Sequence, residues 1–90
     1  MNSFESYQRR ALKKPGIRAE YDRLAHEFAV ARTLIAARMA AKLTQDEVAR
    51  RMGTSQSAVA RMESGRSLPS TSSLVKYAEA VGRKLTIGLS

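Results

Sequence analysis

Between Leu43 and Gly65 the chain has room for two helices, and neither is long enough to stand alone. Thr44, followed three residues later by Glu47, reads as an N-cap with a capping box, in which each residue satisfies an otherwise orphaned amide of the other. Acidic groups at Asp46 and Glu47 also suit the positive end of a helix dipole. The helix so opened runs to about Met52, with Val48, Ala49 and Met52 inward, and Gly53 ends it. Ser55 caps a second helix over residues 56–64, whose inward face is Val59 and Met62 supported by Ala58, and Gly65 stops it. Isolated helices below about 12 residues are marginal in water. Both must therefore be held by packing, at an angle set by the three residues Gly53-Thr54-Ser55.

The flanks supply the packing partners. Ile17, Tyr21, Leu24, Phe28, Ala31 and Ile35 recur at steps of 4, 3, 4, 3 and 4, which predicts a helix over 17–41. Such a helix would be about 37 Å long, so its first two turns should project past a small core. The next position on that seam is Arg38, a charge where a hydrophobe is due and one that needs a partner, because an unpaired buried charge costs several kcal/mol. A last helix is expected within 71–81, capped by Ser70 or Thr71, with Leu74, Tyr77, Ala78 and Val81 as its stripe. After Gly82, Leu85, Ile87 and Leu89 alternate with Lys84, Thr86 and Gly88, a two-residue period that predicts a strand. Met39, Met52 and Met62 read as core fillers and His26 as a surface or helix-packing residue. Residues 3–12, with Phe4, Tyr7 and Leu12 apolar, have the pattern of a short, marginal helix, followed by a linker over 13–16.

Composition narrows the chemistry. Sixteen Lys and Arg against eight Asp and Glu give a net charge of +8, which favours a polyanionic partner, nucleic acid before an anionic membrane surface. With no cysteine and one histidine, disulfides, thiolate metal sites and cysteine nucleophiles are excluded, and no cofactor or metal is expected. No run approaches the ~18 apolar residues of a membrane span, and residues 1–10 lack the apolar core of a signal peptide. A soluble, intracellular binding module is expected, not an enzyme: no carboxylate pair, nucleophile with base, or phosphate loop stands in a recognisable setting.

Two short helices around a glycine turn are the signature of a helix-turn-helix. The run from Leu43-Thr44-Gln45 through Gly53-Thr54-Ser55-Gln56 to Glu63-Ser64-Gly65 resembles the DNA-binding core of the lambdoid phage repressor family, the XRE or Cro/C1 type, over about residues 31–81. The major groove of DNA admits one helix, Gln pairs bidentately with adenine and Arg with guanine, and an alanine methyl meets the thymine methyl. The second motif helix offers Gln56, Ser57, Ala60 and Arg61 for that work, opposite Val59 and Met62. Gln45 and Ser55, at the starts of the two motif helices, are placed for phosphate contacts, and Arg66 is a further phosphate candidate. The resemblance implies that Arg38 pairs with Glu63 as a structural link between the first and third helices. The expected fold is thus all-α, a lambda-repressor-like bundle with a long first helix and a short C-terminal strand.

The segments outside the motif carry a second resemblance. Arg18-Ala19-Glu20-Tyr21, then the run from Glu27-Phe28-Ala29 to Ala36-Ala37-Arg38, then Leu-Thr-Gln, are similar to HigA-type antitoxins, helix-turn-helix partners of RelE/HigB-like mRNA-cleaving toxins. Lys42 departs from that pattern, in which a glycine commonly stands before Leu-Thr-Gln. The resemblance implies a type II toxin-antitoxin role. The protein would repress its own operon as a homodimer on palindromic operator DNA and neutralise a small basic toxin through residues 1–26. A lone strand cannot satisfy its backbone within one helical domain. Pairing of Leu85, Thr86, Ile87 and Leu89 with their copies in a second chain would do so, and would set two reading helices about 34 Å apart. The domain plan is an arm over 1–16, a helix-turn-helix domain over 17–83 with its motif at 44–64, and a dimerisation strand over 84–90. Cytoplasmic residence on a bacterial nucleoid would follow. The alternatives are a stand-alone, phage-derived repressor with no toxin, and an interaction module that has lost DNA binding. The last is disfavoured by Gln56 and Arg61 on the reading face.

Overall fold

The structure, a computed structural model, describes residues 15–90 of the chain. Four helices are present among them: α1 (Pro15–Ala40), α2 (Gln45–Met52), α3 (Gln56–Met62) and α4 (Thr71–Ala80). The expected arm over 1–16 and short helix over 3–12 fall almost wholly outside the described residues. No helix among the described residues is long and apolar enough to cross a membrane.

Local chemistry sets each boundary. Thr44 holds an extended conformation and its hydroxyl accepts from the Glu47 amide at 3.1 Å, while the Thr44 amide donates back to Glu47 Oε1 at 3.3 Å, completing the capping box. Gly53 ends α2 with φ +73°, a left-handed conformation that costs glycine nothing. The hydroxyls of Ser55 and Ser70 accept from the amides of Ala58 and Ser73, capping α3 and α4. Lys42, in the turn between α1 and α2, is also left-handed at φ +58° and is the one non-glycine residue in that region among those described.

The core is small: Leu34 from α1, Val48 and Ala49 from α2, Val59 from α3, and Tyr77, Ala80 and Val81 from α4 and its end, with Val30, Ala37, Leu43, Met52, Met62 and Leu74 packed around it. α2, α3 and α4 form the centre, and Arg51 Nη1 pins α2 to the Ala80 carbonyl at 2.9 Å. Only the second half of α1 joins them. Its buried positions are Glu27, Ala31 and Leu34, a line turned slightly from the expected seam, while Ile17, Tyr21, Leu24 and Phe28 stay more than one-third exposed. The seam is therefore uncovered from Ile17 to Leu24, about two turns, and is first met from outside at Phe28, whose ring lies against Gly65 after α3.

One further expectation is corrected, and another needs a second chain. Met39 is 65 % exposed and fills no core, because it falls on the side of α1 away from α2–α4. The strand expected over 84–89 is not formed in the single chain: residues 83–90 carry no regular secondary structure, and Ile87 and Leu89 are exposed. A strand needs a ladder partner, and a single chain of this fold holds none among its described residues.

Candidate nucleic-acid interface

One buried polar cluster fixes the angle between α3 and the rest of the domain. Arg38 Nε and Nη2 donate to Glu63 Oε2 and Oε1 at 2.9 and 3.0 Å, a two-pronged contact from α1 to the end of α3. Arg38 Nη1 donates to the Leu43 carbonyl at 3.0 Å, so the same guanidinium also anchors the turn before α2. Gln45 Nε2 donates to Glu63 Oε1 at 3.1 Å. The Tyr77 hydroxyl reaches Glu63 Oε2 at 2.7 Å and the Leu34 carbonyl at 2.8 Å. Glu63 thus receives donors from α1, α2 and α4 at once.

The cluster's electrostatics follow from its burial, with the Glu63 side chain 3 % and the Arg38 side chain 17 % exposed. Burial pushes the Glu63 carboxyl up, but the bonds from Arg38, Tyr77 and Gln45 and the Arg38 charge outweigh it and hold the group below the ordinary glutamate range. The bond to Glu63 raises the Arg38 guanidinium further, against the opposing effect of burial. Burial first, and then the neighbouring carboxylate, push the Tyr77 phenol well above its ordinary value, so it remains a donor at neutral pH.

On the opposite side α3 faces solvent. Gln56, Ser57 and Arg61 are exposed and Ala60 is half-buried, while Val59 is fully buried. The Ser55 hydroxyl, besides capping the helix, lies 3.1 Å from that of Ser57. Arg66 follows on the loop, its side chain exposed and its amide donating to Ser64 Oγ at 3.2 Å. Neither Arg61 nor Arg66 enters an ion pair among the described residues, where the pairs are Arg23–Glu20, Arg38–Glu63 and Arg50–Asp46. Among the described residues, no carboxylate competes with an external anion for either guanidinium.

Gln45 is placed differently from expectation. Its side-chain amide is turned inward onto Glu63, because a buried carboxylate demands donors for its lone pairs. Its backbone N–H, in the first turn of α2, is among the donors that a helix cannot satisfy internally. The residues that motif reading missed are Gln45 and Tyr77 as donors to Glu63, and Lys76 of α4, which lies on the same side of the domain as Arg61. Nothing local in the sequence marks Lys76, because it comes from another helix. No group of three or more His, Cys, Asp or Glu side chains suited to a metal occurs among the described residues.

A family model described as helix-turn-helix matches residues 34–87, more than half of the chain and every residue of the buried core cluster. No curated protein and no solved structure matches the chain.

Proposed function

The chain belongs to the helix-turn-helix family, and from that premise we propose that it is a DNA-binding transcription regulator of the XRE type, binding DNA without catalysing a reaction. The observation that carries this reading is the outward face of α3, with exposed Gln56, Ser57 and Arg61, unpaired basic groups around it, and a buried cluster holding the helix rigid from behind. α3 enters the major groove. The backbone amide of Gln45, with Ser55 and Arg66, meets the flanking phosphates. Duplex selection from a random pool, followed by affinity measurement on the selected and scrambled sequences, tests it: a selected site should bind at least ~10³-fold more tightly than non-specific DNA.

The finer reading is an antitoxin that represses its own operon as a two-fold dimer on a palindrome and binds a small basic RelE/HigB-like toxin, in the cytoplasm of a bacterium. What supports it is the first half of α1, which extends before the matched region and keeps Ile17, Tyr21 and Leu24 exposed. Exposed Ile87 and Leu89 in the tail support a second copy pairing through residues 84–89. Affinity purification from the native cell tests it. A stoichiometric small basic protein, lost when residues 1–26 are deleted, is the expected result. Recovery of DNA alone leaves the stand-alone repressor.

A further inference from the structure

The end of α2, the flank of α3, the loop after it and α4 enclose an open surface cavity of about 410 Å³, bordered by Thr54, Arg61, Ser67, Ser73 and Lys76 over an apolar floor that includes Met52 and Met62. Its polar rim holds two cations and three hydroxyls and no carboxylate. Arg61 and Lys76 come from different helices, both are exposed, and neither is ion-paired among the described residues. Glu79 borders a neighbouring cavity that Lys76 also reaches, and makes no bond to it. Two uncompensated cations and a set of hydroxyl donors around one hollow match a singly charged, multi-oxygen anion. The apolar floor lowers the local dielectric and strengthens such a contact.

The position of Arg61 on α3 agrees with this. At 100° per residue, Arg61 stands about 140° round the helix from Gln56 but only about 60° from Ala58, which borders the same cavity. Arg61 is thus on the flank of the reading face, leaning towards α4, and Gln56, Ser57 and Ala60 occupy the rest. We infer that this cavity seats a backbone phosphodiester of the bound duplex, with Arg61 and Lys76 as its two cationic contacts, and that base reading falls to Gln56, Ser57 and Ala60. The inference rests on the DNA-binding reading and changes the role expected of Arg61 from guanine recognition to phosphate anchoring.

The test compares wild-type protein with R61A, R61K and K76A on a duplex selected by the wild type and on a mixed-sequence duplex, across a salt series. A thermal melt shows that each variant is folded. Each neutralising substitution should weaken both duplexes by the same factor and make the slope of log affinity against log salt shallower, by no more than about 0.9 because the two cations share one phosphate. R61K should keep both slope and base preference, because a point charge serves a phosphate where it does not serve a bidentate guanine contact. Loss of preference at one base pair in R61A or R61K, or an unchanged slope in K76A, overturns the inference while leaving the DNA-binding reading intact. A wild-type protein that binds neither duplex overturns both.

Discussion

The Tyr77 hydroxyl lies 2.7 Å from Glu63 Oε2, so the aromatic centre of α4 is bonded to the last carboxylate before the chain leaves α3. The same hydroxyl touches the Leu34 carbonyl of α1 at 2.8 Å, and its single proton is shared between two acceptors. Removing it leaves Glu63 one donor short while burial of the carboxylate persists. Tyr77→Phe should therefore cost about 1–3 kcal/mol, read as a lowered midpoint in chemical denaturation with an unchanged denaturant slope.

The Arg38 guanidinium contributes more, because it carries the compensating charge. Arg38→Ala should destabilise by about 3 kcal/mol, which for a domain of this size is a fall in melting temperature of roughly 12–24 °C. Any weakening of DNA binding in this variant is then indirect and should vanish when affinity is measured well below its melting point.

Acid should act through Glu63. Its folded-state pKa is held below the ordinary value, so the native state releases this proton more readily than the unfolded chain does. The stabilisation is present above the unfolded glutamate pKa of about 4.3 and is lost as pH falls through the lower folded value. Glu63→Gln should be less stable than wild type at pH 7, and the gap should narrow below about pH 4, measured by urea midpoints across a pH series.

Much of this architecture is legible in the sequence, and what is legible is local. Thr44, Gly53, Ser55 and Ser70 mark helix ends because their caps are satisfied within three or four residues. The apolar period shows which residues of α1 share a face, but not how far along it another element reaches. That is why Ile17, Tyr21 and Leu24 stand exposed while Ala31 and Leu34 are buried. Tyr77 has the period of an apolar stripe, and nothing around it announces that its hydroxyl spans to residues 14 and 43 positions away. Gln45 looks like a phosphate contact from its place at a helix start, and only the folded chain reveals the carboxylate that claims its amide. The two-residue alternation of the tail is real as a pattern, but a pattern cannot supply a pairing partner.

Lys42 carries strain that the sequence foreshadows as a missing glycine. A left-handed residue with a Cβ costs roughly 1–2 kcal/mol, part of which glycine gives back through its freer unfolded chain. Lys42→Gly should stabilise the domain by about 0.5–1 kcal/mol, seen as a raised melting temperature with DNA affinity unchanged.

Recognition of bases should be concentrated at the start of α3. Gln56→Ala should cost about 1–3 kcal/mol on the selected duplex and relax the preference at one base pair. Affinity for scrambled DNA should change little, because phosphate contacts do not report sequence.

The central claim, that this domain holds α3 out for DNA, is tested most directly by the salt dependence of wild-type binding to the duplex it selects. Log affinity should fall linearly with log salt, with a slope several times steeper than −1 and more than one phosphate contact behind it. An affinity that does not change with salt, or a random pool from which no sequence is enriched, would contradict the account.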